Sequence, residues 1–288
     1  MYRYRHDIRL FSHGGGPFVL ASLDVVAGSS PRDQGTWMLV SRKRIFRTIG
    51  GGQLEKLAID RARKLIAEDS MDPVHLTVPL GPEIGQCCGG SVVVSLRLLA
   101  GADIDQLATE LEQELAGLPS VYVFGAGHFG NALCEALCLL PVHPVLVDSR
   151  HAELQAAPPG VDTRLAALPE TIVRDALPDS AFVIATHDHS LDFLIAREAL
   201  ARGDAAYVGM IGSKTKLGSF RNWIRRDAGE ATVTDRLVCP IGGSTLRDKR
   251  PEVIAALVAA ELVQYLLALK ADDGVQSSGQ LKIVGGDA

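Results

Sequence analysis

The chain has 288 residues, of which 47% are hydrophobic, with 29 basic and 34 acidic side chains and a formal net charge of −5. That length and apolar content are enough for two domains with a core each, and charges of both signs with no basic run argue for a small-molecule or protein partner and against nucleic acid. No run of about eighteen apolar residues is present to span a membrane, Met1 to Leu10 holds no apolar signal core, and an odd set of cysteines with two adjacent is a poor disulfide framework, so a reducing cytoplasm is the expected location.

Phe18 to Val26 reads as a strand, and Met38 to Val40 and Ile45 to Ile49 as two more around the basic turn Arg42-Lys43-Arg44. The period then changes. Leu54, Leu57, Ala58, Arg61, Ala62 and Leu65 fall on one helical face. Val74 to Val78 and Val92 to Leu96 resume the strand pattern, so the first unit is α+β. Ile104 to Leu115 follows as an amphipathic helix, and Gly117-Leu118-Pro119 reads as a linker. The expected domains are residues 1–117 and 118–270, with a flexible polar tail over 271–288.

Beyond the linker, Val121 to Phe124 is a continuous apolar run, as a strand buried on both faces of a parallel sheet requires. A glycine-rich turn leads into a helix over about Phe129 to Leu140. Pro144 to Val147, Ala181 to Ala185 and Ala205 to Val208 read as strands that alternate with helices at Ser190 to Ala201 and Ser213 to Arg226. Pro251 opens a last helix, where its missing N–H costs nothing. The fold class is therefore α/β: an N-terminal α+β domain followed by a Rossmann-like, doubly wound parallel sheet.

In the turn Gly125-Ala126-Gly127-His128-Phe129-Gly130, the first glycine makes the tight bend, the second leaves room for a pyrophosphate and the third lets the helix pack close to the sheet. The helix start then offers free N–H groups to an anion. Asp148 ends the next strand, where an acid can bind ribose hydroxyls. The turn can equally be a feature of the fold with no ligand. His128 faces either that ligand or solvent.

Two further loops leave strands at their carboxyl ends, where open parallel sheets collect ligands. In Thr186-His187-Asp188-His189 the two imidazoles can meet a metal or an anion; the other reading is a helix start capped by Asp188 or Ser190. Gly209-Met210-Ile211-Gly212-Ser213-Lys214 can hold a phosphate at a helix start, with Ser213 and Lys214 as donors, but lacks the spacing of a nucleotide-hydrolysing P-loop. Cys239 precedes Pro240 at another strand end. Cys134 and Cys138, four apart on a helix, are explained by core packing.

The first unit carries Gly28-Ser29-Ser30-Pro31-Arg32, Thr48-Ile49-Gly50-Gly51-Gly52-Gln53-Leu54-Glu55 and Gly85-Gln86-Cys87-Cys88-Gly89-Gly90. The paired thiols can be buried small hydrophobes or ligands of a soft metal; zinc is disfavoured because adjacent cysteines rarely chelate one ion and no CxxC or matching His spacing accompanies them. Glu55, in the first helical turn, suits the helix dipole. These three stretches, in this order and followed by the Gly125 to Gly130 turn, resemble the xanthine dehydrogenase accessory protein family (XdhC), from about Phe18 to about Leu267.

The resemblance implies a chaperone, not an enzyme, that holds molybdenum cofactor (molybdopterin), protects it while a cysteine desulfurase sulfurates it, and inserts it into apo xanthine dehydrogenase. It implies Cys87 and Cys88 at the metal, and Arg32, Gly50, Gly51, Gly52, Gly89 and Gly90 at the pterin and phosphate. Gly125, Gly127, His128, Gly130, Asp148, His187, Ser213 and Lys214 would complete the binding surface, with a nucleotide, NAD(P) or the cofactor's phosphate in the glycine turn. A homodimer is plausible on general grounds. The competing function is an NAD(P)-dependent oxidoreductase with His187 or Lys214 as acid or base; a third is a protein adaptor with no ligand.

Overall fold

A computed structural model describes residues 8–13, 15–82, 89–227, 232–243, 246 and 248–273. The chain divides into two compact units, one through Glu114 and one from Leu115 to Asp273.

The first unit is a five-stranded antiparallel sheet with helices. Its strands are β1 (Phe18–Ala27), β2 (Trp37–Val40), β3 (Ile45–Arg47), β4 (Val74–Pro79) and β5 (Ser91–Leu99), in the order β3-β2-β1-β5-β4. Helix α1 (Ile8–Ser12) precedes them, α2 (Gly52–Glu68) joins β3 to β4, and α3 (Gly101–Ala116) follows β5. Strand alternation sends Val19, Ala21 and Leu23 into one core with Leu54, Ala58, Ala62, Leu65 and Ile66 of α2. Phe18, Trp37 and Phe46 are buried too, and the Phe11 ring of α1 packs, tilted, against Phe18 and Phe46 at centroid distances of 5.6 and 5.3 Å.

Three details of the first unit differ from the sequence expectation for a local reason. The strand expected over Ile45 to Ile49 stops at Arg47, whose φ of 63° turns the chain and drops Ile49 into the core. Leu57 lies at the edge of the α2 stripe and is 37% exposed, and Ile66, on the far side of the stripe, is buried instead. Helix α3 starts at Gly101 because the Asp103 carboxylate accepts the Ala100 N–H at 2.8 Å, an N-terminal cap that precedes the apolar periodicity.

The second unit is a six-stranded parallel sheet: β6 (Ser120–Phe124), β7 (His143–Asp148), β8 (Asp162–Leu165), β9 (Ala181–Ile184), β10 (Tyr207–Met210) and β11 (Leu237–Val238). The order is β11-β10-β9-β6-β7-β8, all neighbours parallel. The chain starts at β6, runs outward through β7 and β8, returns to β9 beside β6, and runs outward the other way. The direction reverses between β6 and β9, the place where a doubly wound sheet opens a crevice.

Helices α4 (His128–Leu137), α5 (His151–Leu154), α6 (Pro169–Asp175), α7 (His189–Ala201), α8 (Lys214–Asp227) and α9 (Pro251–Asp273) connect and follow the strands. On one face Val121 and Val123 pack with Leu133 and Leu137 of α4 and with Val258 and Leu262 of α9. On the other, Phe124 and Phe182 pack with Ile195 and Ala199 of α7 and with Phe220 and Ile224 of α8. This two-sided burial is why β9 is apolar at every position.

Strand β8 was not expected. All four of its residues are exposed at the sheet edge, so Asp162-Thr163-Arg164-Leu165 carries no apolar pattern. Helix α9 runs to Asp273, three residues into the stretch expected to be a tail. Among the described residues no helix is long and apolar enough to cross a membrane.

Candidate functional site

In the first unit, the β1–β5 pairing sets Ala27 against Ser91 and so brings the loops beyond them together. A Cβ on Gly90 would lie 2.2 Å from the Ser29 carbonyl oxygen and 2.6 Å from that of Ala27, so only glycine allows this approach. Gly50, at φ 124°, comes as close to the same loop: a Cβ there would lie 2.8 Å from Pro31 Cγ and 3.5 Å from Arg32 Cγ. The Gly28–Arg32 loop thus touches both the Gly50 turn and the Gly89–Gly90 segment. Arg32 is exposed, and its guanidinium has no ion pair among the described residues. Cys87 and Cys88, expected as metal ligands, lie outside the described residues.

The glycine run before α2 departs from its expected role. Glu55 Oε2 accepts the N–H groups of Ile49 and Gly51, both at 3.1 Å, and the Thr48 hydroxyl. Thr48 Oγ1 in turn accepts the Gly50 N–H at 3.1 Å. Gly50 and Gly51 therefore shape the turn, but their backbone donors are already satisfied. Glu55 acts as the clasp of its own helix start.

In the second unit the three turn glycines differ in what surrounds them. Gly125, at φ 112°, lies against the exit of β9: a Cβ would be 2.3 Å from the Ala185 carbonyl oxygen. A Cβ on Gly130 would be 1.9 Å from the Gly125 carbonyl oxygen. Beside Gly127 there is open space, its φ is −76°, and no side chain caps α4. The close approaches are those a Rossmann turn needs, and the open one is where such a turn admits a phosphate. His128 is exposed as the first residue of α4. Asn131 donates to the Ala126 carbonyl at 2.9 Å, and its Oδ1 is buried without a partner among the described residues.

Asp148 ends β7 and is 5% exposed. Its Oδ2 accepts the Ala126 N–H at 2.8 Å and Arg150 Nη2 at 3.0 Å; its Oδ1 accepts the Arg150 N–H at 2.9 Å and Nε at 3.0 Å. Burial pushes this carboxyl up, but the bonds from Arg150 and Ala126 outweigh it and hold it below the usual carboxylate range. A recess beside it is lined by Gly125, Val147, Asp148, Ser149, Thr186 and His187. It spans the carboxyl ends of β6, β7 and β9, at the switch point.

Asp188 accepts the Ser190 N–H at 2.7 Å and caps α7, as the helix-start reading of that segment expects. His187 reaches the recess; His189 is exposed in the first turn of α7. Among the described residues no group of His, Cys, Asp and Glu side chains is arranged to hold a metal.

The Gly209 to Lys214 loop holds a feature that the sequence reading missed. Lys214 is exposed, whereas Lys216 turns inward, its side chain 9% exposed. Its Nζ donates to Asp192, which is fully buried, and to the Ile211 carbonyl at 2.9 Å. Asp192 Oδ1 also accepts the Thr186 N–H at 2.9 Å and hydroxyl at 2.7 Å. Gly212 makes room, because a Cβ there would lie 2.7 Å from Lys216 Cδ. The buried pair ties the exit loop of β9 to that of β10.

Cys239, at the exit of β11, is half-buried with Sγ 4.0 Å from the Ser213 carbonyl oxygen. Burial pushes its thiol up, and Lys216 pulls it partly back. The following loop is held by Glu261 of α9, which accepts the Gly242 N–H at 2.9 Å and the Tyr207 hydroxyl at 2.6 Å. Cys134 and Cys138 are buried in the core, as their helical spacing leads one to expect.

A parallel sheet of this order, with a glycine turn at its switch point and a separate antiparallel α+β unit before it, defines a Rossmann-type protein with an added N-terminal domain. Residues 121–262 match the model of the XdhC Rossmann domain, and residues 12–76 match that of the XdhC and CoxI family. The chain belongs to the XdhC and CoxI family. It is 24% identical over 254 residues to the uncharacterized protein YqeB of Escherichia coli (strain K12), a match that covers 86% of this chain and 43% of that protein. The chain therefore spans less than half the length of this curated relative. A crystal structure described as a xanthine dehydrogenase from Bacillus halodurans has the same fold, with a TM-score of 0.76 and 19% identity over 94% of this chain and 97% of that one.

Proposed function

We propose that this protein is an accessory protein of molybdenum hydroxylases. It binds molybdenum cofactor, shelters it during sulfuration by a cysteine desulfurase, and passes it to apo xanthine dehydrogenase. The observation that carries this reading is the convergence of the Gly28–Arg32 loop, Gly50 and the Gly89–Gly90 segment in a chain of this family.

The residues fit such a ligand in part. Arg32 offers a planar cation, without an ion pair among the described residues, for a phosphate. The main chain at Gly89 allows close approach, and the preceding Cys87 and Cys88 supply a soft donor. The Gly50 and Gly51 N–H groups do not contribute, because Thr48 and Glu55 hold them. The bound cofactor supplies metal redox chemistry to its eventual enzyme; this chain only holds and orients it. Transfer follows from differential affinity, the apo-enzyme binding more tightly than the carrier.

The test uses the full chain purified from cells that make the cofactor, with released pterin fluorescence and molybdenum content as readouts. Wild type should carry both, and Arg32→Ala should carry at least about tenfold less, the loss of one charge-assisted anchor. A Cys87→Ala, Cys88→Ala double variant that keeps full cofactor content removes the thiols from the reading. Wild type free of pterin and molybdenum overturns it.

The strand order and the open space at Gly127 favour a second reading for the Rossmann unit, an NAD(P)-dependent oxidoreductase. His187 reaches the recess and is the better acid–base candidate, because Lys214 is solvent-exposed. Hydride transfer to any carbonyl acceptor, lost in His187→Ala, would establish it. NADH fluorescence unchanged up to millimolar ligand would remove it.

A further inference from the structure

The acid at the end of the second strand of a Rossmann unit accepts hydrogen bonds from a ribose diol, and that role needs free lone pairs. Asp148 has none to give. Each of its oxygens accepts two bonds, from the Ala126 N–H and Arg150 Nη2 on one side and from the Arg150 N–H and Nε on the other. A carboxylate offers about four such positions, so this one is saturated by its own protein.

The arginine that saturates it is not itself saturated. Its side chain is 38% exposed. Nε and one Nη2 proton point at Asp148, and Nη1 lies 3.3 Å from Glu153 Oε1. A guanidinium carries five N–H donors in a fixed fork, which leaves donors on its outer edge. Beside it Ser149 lines the recess, exposed and without a hydrogen bond from its hydroxyl among the described residues. The tip of β7 therefore presents a cation and a hydroxyl where a diol reader would present an open carboxylate.

We propose that this tip selects a nucleotide whose ribose bears a phosphomonoester over one with a free vicinal diol. Arg150 is the specificity-determining residue, Ser149 a second donor, and Asp148, which lines the recess, the residue that holds the guanidinium beside it. Glu153 weakens the preference by sharing the Arg150 charge. This inference rests on a nucleotide in the Gly125–Gly130 crevice and is independent of whether the first unit carries molybdenum cofactor.

Calorimetric titration of the full chain with adenosine 2′,5′-bisphosphate and with 5′-AMP, and fluorescence titration with NADPH and NADH, test it. In each pair the 2′-phosphorylated ligand should bind at least about tenfold more tightly, as one charge-assisted contact to phosphate allows. Ser149→Ala should narrow the ratio and Glu153→Gln should widen it, both by changing only the phosphorylated member. Arg150→Ala should bring the two members of a pair within about twofold of each other. Since that variant also unpairs Asp148, its circular dichroism is compared with wild type, and the two milder variants decide if it fails to fold. Equal or tighter binding of the diol ligands, or no binding of any of the four at millimolar concentration, overturns the proposal. A chain that carries pterin yet prefers the diol overturns this inference alone; one that lacks pterin yet prefers the 2′-phosphate overturns only the cofactor reading.

Discussion

The Gly125 to Gly130 turn separates backbone need from ligand need within six residues. At Gly130 a Cβ would meet the Gly125 carbonyl oxygen at 1.9 Å, and backbone cannot move aside as a flexible side chain can. Gly130→Ala is therefore expected to destabilise the protein by about 1–3 kcal/mol, as overpacking does, measured by urea unfolding. Gly127 has an ordinary φ of −76° and open space around it. Gly127→Asp should leave the unfolding midpoint within about 0.5 kcal/mol of wild type while it weakens nucleotide binding at least about tenfold by setting a negative charge beside the helix N-terminus. A destabilised Gly127→Asp, or one that binds as well as wild type, would sink the assignment of that space to an anion. The motif was legible in the sequence because glycine marks both kinds of site. Which glycine served which need was not, since that depends on the Ala185 and Gly125 carbonyls folded against them. Asp148 shows the same limit: its position after β7 was readable, but its saturation by Arg150 is a matter of side-chain geometry two residues on.

At the scale of elements, strands β9 and β10 end in loops that are fixed by a single buried ion pair. Asp192 sits in the first turn of α7 and Lys216 in the first turn of α8, so the pair clamps two helix starts at the carboxyl edge of the sheet. Removing one member leaves a buried charge without its partner, and Lys216→Met is expected to cost about 3–5 kcal/mol. Asp192→Asn should cost a comparable amount, because its amide would face the ammonium. The Asp192→Asn, Lys216→Met double variant should lose clearly less than the sum, and denaturant unfolding of the four proteins gives the coupling directly. Strictly additive losses would mean that the pair is incidental. The sequence pointed at this loop but to Lys214, the residue nearest the glycines. What turns Lys216 inward is the absence of a Cβ at Gly212, four positions earlier and one helical turn away, a contact that no linear motif displays. The elements that were legible are those with a strong period, such as the apolar run of β9 and the stripe of α2. Edge strand β8 escaped because no face of it is buried.

At the scale of the molecule, each of the two units has a hydrophobic core of its own among the described residues. The core around Val19, Met38, Leu65 and Leu96 draws only on residues before Glu114. The two cores that sandwich the parallel sheet draw only on residues after Leu115. The continuous apolar strands of the second half are the sequence record of a parallel sheet that carries helices on both faces. Folding information is then local to each unit, and each is of a size that supports an independent core. Residues 8–114 and 115–273, expressed separately, are each expected to unfold in one cooperative thermal transition with the circular dichroism of their own helices and strands. The second fragment should also keep the nucleotide preference assigned to Arg150, because the recess and all of its lining residues belong to it. A fragment that melts without a transition until the other is added would show that its own core is not sufficient for stability.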